Sequence, residues 1–390
     1  MTPNPPSGHA PAAPDADRHA PAPEVVPGAV RPPLPGEPAP FFTQRSAGNP
    51  RYCFDAAAGR WLVLCFLHSA AHPAAQAALA AVQARPDLFD DRFAAFFAVS
   101  TDPADEESGR LSQHLPGYRV FWDLDLLASR LYGAARGERR LGLWVVIDPT
   151  MRVVESLPFR AEDGGAGAVL ALLDRLPPPE RFAGMPLQAP VLVLPRVFEP
   201  ALCRRLIDLY EDQGGELSGF MQQVGDRTVG VSDARHKVRR DVHVTDPDLT
   251  ALLRERILRR VVPEILKIHQ FRATRMERYL VACYDAAEGG HFAPHRDNTT
   301  AGTAHRRFAV SVNLNDDFEG GEVSFPEYGP RGFKAPAGGA VVFSCSLLHA
   351  VGRVTAGRRY AFLPFLYDEE AAQIRSRNAA ALAPAGRAPG

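Results

Sequence analysis

In Gly290-His291-Phe292-Ala293-Pro294-His295-Arg296-Asp297-Asn298, two side chains could act on one atom. In an extended segment, positions i and i+2 project to the same face, so His295 and Asp297 can aim an imidazole and a carboxylate at a common point. A third donor, His349, closes the apolar run Val341–Leu348. Two imidazoles and one carboxylate on one face leave coordination positions open, the ligand set of non-haem Fe(II) oxygen chemistry. His291 and His295 also stand four apart, as in a helical zinc motif. Gly289-Gly290 and Pro294 oppose a helix there, and no Glu follows His291, so the zinc-protease pattern is not met.

An isolated H-x-D triplet says little by itself. The run His349-Ala-Val-Gly-Arg-Val-Thr-Ala-Gly357-Arg358-Arg359-Tyr360 adds a Gly-containing turn and a cation opening the next strand. Arg359, ten residues past His349, can present a bidentate fork to a dicarboxylate reaching in from the metal. Arg358 is the alternative, because neighbouring strand residues face opposite ways.

The elements that must position these groups lie in the second half of the chain. Helical patterns over Pro200–Gln213 and Leu249–His269 come first. Strand-like runs follow at Glu277–Tyr284, Arg307–Asn313, Glu322–Phe325, Ala340–Cys345, Val351–Val354 and Arg358–Tyr367, with Gly and Asp clusters between them. Many short strands with turn chemistry after a helical preface predict a jelly roll braced by helices. Gly214–Val231 and Asp233–Asp241 are candidate substrate loops, the latter carrying Arg235, Lys237, Arg239 and Arg240. Those four cations read either as a substrate-facing patch or as a solvated surface strand.

The first half alternates apolar runs (Trp61–Leu67, Arg92–Ser100, Arg119–Trp122, Leu141–Asp148) with helical patterns (Ala74–Ala84, Ala104–His114, Leu124–Tyr132). That alternation predicts an α/β layer with parallel strands. Two domains suit a chain of 390 residues, in which 46% are hydrophobic and 23% charged. Residues 1–40 hold 13 of the 36 prolines and hardly a bulky apolar side chain, which predicts a disordered leader. The proline-rich stretch near 177–190 divides the remainder into bodies at 41–182 and 190–370, with 371–390 as a flexible tail.

A net charge of −1 offers no field for nucleic acid or anionic membranes. No apolar stretch approaches the ~20 residues of a membrane span, and the N-terminus lacks a secretory pattern, so a soluble, cytoplasmic chain is expected. Cys53, Cys65, Cys203, Cys283 and Cys345 are few and odd in number, as expected of buried thiols rather than a disulfide framework.

Three segments in order carry a resemblance: Tyr279–Asn298 with Tyr284 ahead of the H-x-D, then Val312–Pro326 with Gly320-Gly321, then His349–Arg359. Together they resemble the prolyl 4-hydroxylase-type Fe(II)/2-oxoglutarate dioxygenases. The resemblance implies a double-stranded β-helix with Fe(II) on His295, Asp297 and His349. It also implies 2-oxoglutarate with its far carboxylate on Arg359, and O2 as the other co-substrate. Tyr284 matches the family tyrosine that hydrogen-bonds the 2-oxo acid, though a plain core aromatic is the rival reading. The implied reaction hydroxylates an unactivated C–H, on a prolyl residue of a peptide or a small amino-acid-like substrate, releasing succinate and CO2, with ascorbate as a candidate reductant. A non-catalytic iron or 2-oxoglutarate sensor would use the same groups.

The first body is similar to peroxiredoxins of the thioredoxin fold, through Trp61–Leu67, Val99-Ser100-Thr101-Asp102, Val120–Asp125 and Val145–Pro149. Peroxiredoxin chemistry needs a thiolate after the first long strand, where this chain has His68-Ser-Ala-Ala-His72-Pro73-Ala-Ala75. Ala75 stands nearest the cysteine's place, Cys65 falls inside the apolar strand, and Cys53 lies outside the loop. A thiol peroxidase is thus the weakest alternative, and a scaffold, self-association surface or substrate-presenting module is the expected role.

Overall fold

The computed structural model describes residues 31–225 and 227–379. The leader expected over 1–30 and the end of the tail, 380–390, lie outside the described residues. Residues 31–40, assigned to the leader on composition, instead lie against the first body. Gly36 N–H donates to Val153 and Ala39 N–H to Met151, at 2.8 and 2.9 Å, and Ala39 is buried. Backbone pairing does what the missing apolar bulk could not. The tail starts later than expected, because Asp368 caps a helix over Glu369–Asn378 by accepting the Ala371 N–H at 2.8 Å.

The first body is a seven-stranded sheet in the order Asn49–Cys53, Thr43–Ser46, Tyr118–Trp122, Ala94–Ser100, Trp61–His68, Leu143–Ile147, Val153–Pro158. Only the three strands Tyr118–Trp122, Ala94–Ser100 and Trp61–His68 run parallel. The flanking strands pair antiparallel, so the parallel layer expected from the alternation is a mixed sheet. Both faces are covered, which explains unbroken apolar runs without alternation. Val63 and Cys65 meet the helices Pro73–Gln83 and Ala166–Leu173, while Leu62, Leu64 and Phe66 join Phe54, Phe97 and Tyr132 on the other side. The helices expected over Ala104–His114 and Leu124–Tyr132 shrink to Pro103–Glu107 and Leu127–Leu131. Gly109, with φ of 66°, follows the first.

In the second body, nine strands form a sheet around Phe308–Asn313, Arg358–Phe362 and Leu280–Asp285. A five-stranded sheet, in the order Lys237–Val238, His291–His295, His349–Val351, Val323–Ser324, Gly332–Phe333, completes the expected jelly roll. Helices Pro200–Gln213, Pro247–Arg260 and Val262–His269 cover the outer face of the larger sheet, through Leu206, Leu253, Ile257 and Ile265 against Val281, Val310, Val312 and Phe362. The single long helix expected over Leu249–His269 is two, since Pro263 cannot donate to the preceding turn. The last strand likewise breaks at Pro364 into Arg358–Phe362 and Phe365–Tyr367. The strand expected over Val351–Val354 is two short ones, His349–Val351 and Val354–Ala356, on either side of Gly352-Arg353. The candidate loops carry regular structure: Phe220–Val224 and Arg227–Val231 pair as a hairpin, and Lys237–Val238 and Arg240–His243 are sheet strands.

Candidate metal centre

His295 and His349 stand opposite one another in the antiparallel pairing of His291–His295 with His349–Val351. Asp297 follows as the chain leaves the strand, its N–H donating to the Cys345 carbonyl at 3.0 Å. His295 Nε2 lies 3.6 Å and His349 Nε2 3.3 Å from the Asp297 oxygens. One donor atom from each residue falls within 4.8 Å of the others, the spacing a single ion needs. His291 stays outside this cluster.

Backbone carbonyls orient both rings. His295 Nδ1 donates to Ala293 at 2.8 Å and His349 Nδ1 to Leu347 at 3.0 Å, which turns each Nε2 lone pair toward the shared point. Burial, reinforced by His295, pulls the His349 pKa down to about 4, so its imidazole is neutral at pH 7 and able to ligate. Burial alone would raise the Asp297 carboxyl, but the two imidazoles hold it well below the usual carboxylate range. His349 and Asp297 are thus each in the protonation state that can bind a cation.

Arg359 lies on the strand Arg358–Phe362, whose alternation decides between the two arginines. Arg358 is exposed and pairs with Asp285 at 2.9 Å and Glu211 at 3.4 Å. Arg359 is 2% exposed and lines the cavity that His295, Asp297 and His349 also line. Its Nε donates to Asn313 Oδ1 at 3.0 Å and its Nη2 to Ser311 Oγ at 2.7 Å. Among the described residues its buried Nη1 has no partner. Burial also pulls the Arg359 pKa down, so an anion delivered to that nitrogen would relieve an unmet charge. Gly321 sits beside the stem: φ is 69° there, and a Cβ would lie 3.1 Å from Arg359 Cδ.

Tyr284 pairs in register with Arg359 and is 1% exposed, its ring centroid 5.3 Å from the guanidinium. These residues fit the groups the family resemblance implies: a borderline divalent cation on two imidazoles and a carboxylate, and a dicarboxylate reaching to the open guanidinium.

The four cations of Asp233–Asp241 split between the two readings. Arg235 is an exposed partner of Asp233, and Arg240 a half-buried partner of Glu288. Arg239 is buried, bidentate on Asp241 at 2.7 and 2.6 Å, and lines the cavity. Lys237 is buried beside it, its Nζ 5.0 Å from the Phe292 ring centroid.

Sequence reasoning missed Arg278, which also lines the cavity. It was hidden within the single strand expected over Glu277–Tyr284. The structure ends one strand at Glu277 and starts another at Leu280, with Arg278 at φ of 64° between them. Its guanidinium reaches Asp241 at 3.6 Å. An arginine in the left-handed region is uncommon, and nothing local in the sequence announces it. Ser311 and Asn313 were legible only as strand residues.

In the first body, Ala75 is fully buried in the first turn of Pro73–Gln83. Burial pushes the Cys65 thiol well above the ordinary range, and local desolvation also raises that of Cys53, although the residue is exposed. Neither is an activated nucleophile.

Residues 279–367 match the 2OG-Fe(II) oxygenase superfamily, and residues 35–156 match the AhpC/TSA family. A PKHD-type hydroxylase of Cupriavidus metallidurans is 38% identical over 95 residues, covering 22% of this chain and 42% of the relative. A PKHD-type hydroxylase of Hyphomonas neptunium is 30% identical over 158 residues, covering 37% of this chain and 67% of the relative. The chain spans about two fifths of the length of the first of these relatives. Among solved structures, a Trichoplax adhaerens prolyl hydroxylase in complex with a hypoxia inducible factor oxygen degradation domain peptide fragment aligns at 18% identity and a TM-score of 0.36, covering 48% of this chain and 86% of that one. Among the described residues, no helix is long and apolar enough to cross a membrane. The chain belongs to the 2OG-Fe(II) oxygenase superfamily, its oxygenase jelly roll preceded by a thioredoxin-like body that matches the AhpC/TSA family model over residues 35–156.

Proposed function

We propose that this protein is an Fe(II)- and 2-oxoglutarate-dependent dioxygenase that hydroxylates an unactivated C–H, on a prolyl residue of a peptide or a small amino-acid-like molecule, with release of succinate and CO2. One observation carries the reading: three metal donors and an arginine nitrogen without a partner open onto the same cavity. His295, Asp297 and His349 would hold the iron, and Arg359, with Tyr284 beside it, the far carboxylate of the 2-oxo acid. Iron and 2-oxoglutarate, when bound, supply the oxidising chemistry. The chain's part is to orient both imidazoles through backbone carbonyls, keep His349 neutral, and hold the reacting C–H in a cavity walled by Phe292, Val323, Phe343 and Val351. Arg278 and Arg239 are the polar groups at the wall from which a substrate would be recognised.

The test is succinate release from 2-oxoglutarate over a panel of peptides and small metabolites. Fe(II)-dependent release with one substrate class, abolished in His295→Ala with the fold intact, is the expected result. Full turnover in His295→Ala would remove the assignment. Stoichiometric binding of 2-oxoglutarate without succinate would favour the sensor.

A further inference from the structure

The side of the H-x-D segment that faces away from the cavity is not solvent. Arg296 sits between His295 and Asp297 in sequence and points the other way, into the first body; its side chain is 6% exposed. Its Nε donates to Asp55 Oδ2 at 2.9 Å, and Asp55 belongs to the turn Phe54–Ala57 of the thioredoxin-like domain. Its other nitrogens donate to Glu327, at 2.8 and 3.3 Å, and to the Ser346 carbonyl. The guanidinium also lies 5.0 Å from the Phe41 ring centroid.

The same Glu327 accepts the Leu348 N–H at 3.0 Å. Leu348 immediately precedes His349, is fully buried, and belongs to the apolar cluster of the first body with Phe42, Phe54, Phe97 and Tyr132. Close approach of the two backbones is built in. Gly59, at φ of 94°, has room for no Cβ: one would lie 2.6 Å from the Pro326 carbonyl oxygen.

All three metal donors are thus next in sequence to a residue anchored in the other domain: Arg296 for His295 and Asp297, Leu348 for His349. Groups that orient ligands from outside commonly change metal affinity 10- to 100-fold when removed. Here that outer layer comes from a domain in which Ala75 stands where the resemblance expects the reactive cysteine.

Resting on the proposed metal assignment, we infer that the thioredoxin-like domain is a structural part of the metal centre, with Asp55, Arg296 and Leu348 as positioning residues that fix the ligand-bearing segments 295–297 and 348–349. The ion pair is mostly dry, so removing Asp55 leaves Arg296 with one carboxylate partner fewer and frees the H-x-D backbone to shift.

The experiment titrates the full-length protein anaerobically with Co(II) as a spectroscopic probe, following its visible absorption, alongside thermal unfolding of the metal-free protein. Asp55→Ala and Leu348→Ala should weaken Co(II) binding about 10- to 100-fold and alter the band shape. Asp55→Asn, which keeps an oxygen acceptor for Arg296, should recover part of the loss and serves where Asp55→Ala fails to fold. Co(II) affinity and band shape within twofold of the parent in a folded Asp55 variant, whatever its melting temperature, would overturn the inference and leave a merely stabilising interface. His295→Ala separates the two levels of the argument. Should that change leave Co(II) binding intact, the metal assignment itself falls. Should it abolish binding while the Asp55 and Leu348 variants bind normally, only the role of the first domain falls.

Discussion

In the first body the strand Trp61–His68 runs into the helix Pro73–Gln83, and in the second the strand His291–His295 runs into Asp297. Both are strand ends where the resemblances read from the sequence expect reactive groups. At the first, Ala75 packs fully into the core, and the buried carboxylates nearby serve the backbone and neighbouring side chains. Asp123 accepts the N–H groups of Ala128 and Ser129 at 2.9 and 2.8 Å, and Asp105 accepts from Ala70 and Ser100. At the second, buried polar groups converge on one cavity, and Arg359 keeps a nitrogen without a partner. Buried charge alone does not mark a working site. Convergence with a hydrogen-bonding demand left open is what singles out the candidate site.

The largest expected effect tests that open demand. A bidentate arginine–carboxylate contact in a mostly dry cavity is lost at about 2–5 kcal/mol, or roughly 30- to 5,000-fold in affinity. Arg359→Ala should therefore raise the KM for 2-oxoglutarate on that scale while Co(II) binding persists. Arg359→Lys should recover only part of it, because a point charge lacks the planar fork. Arg358→Ala, on the exposed face of the same strand, should leave the KM unchanged. A larger defect in Arg358→Ala would break the comparison at its root.

A second test concerns the cost of burying an amine beside the candidate metal site. Lys237 Nζ donates to Ser218 Oγ at 2.7 Å and to the Gly219 carbonyl at 2.6 Å, and burial pulls its pKa down to about 6. Between there and its ordinary value of about 10.4, the unfolded chain binds a proton that the folded one does not. Stability should therefore rise with pH through that window, by at most about 1.4 kcal/mol per unit from this group, and be lowest below pH 6. Lys237→Met should flatten that slope in urea unfolding measured across the range. An unchanged slope would show that Lys237 is not the group responsible.

The smallest expected effect asks whether the first body can be returned to thiol chemistry. Ala75→Cys adds one atom to a packed site, at about 1–3 kcal/mol of stability at most. The new thiol should label no faster than Cys65 in the native protein, read by mass spectrometry, and should consume no peroxide. Peroxide turnover in that variant would show that the fold retains the rest of a peroxidase site, and the contrast between the bodies would narrow to one residue.

Much of the candidate site is legible without coordinates because it is written in short-range spacing. The period of two along a strand puts His295 and Asp297 on one face and separates Arg359 from Arg358, and the structure keeps both arrangements. The jelly roll was legible for a similar reason, through short strands separated by Gly and Asp turns. Less legible were the breaks. Pro263 and Pro364 divide elements that apolar patterning runs together, and a mixed sheet replaces the parallel layer because strand direction depends on connections rather than on composition.

What only the tertiary structure decided are pairings between residues far apart in the chain. Arg296 reads as an ordinary charged residue between two candidate ligands until it meets Asp55, 241 positions earlier. Leu348 reads as the end of an apolar strand until it enters the core of the other domain. Arg278 enters the cavity through a left-handed backbone that no local preference of arginine favours. The sequence by itself determined which side chains share a face, since covalent geometry repeats every two residues. Which surface each face meets was left to the docking of two domains, where the gain comes from burying apolar area and pairing charge across a contact with no period to read.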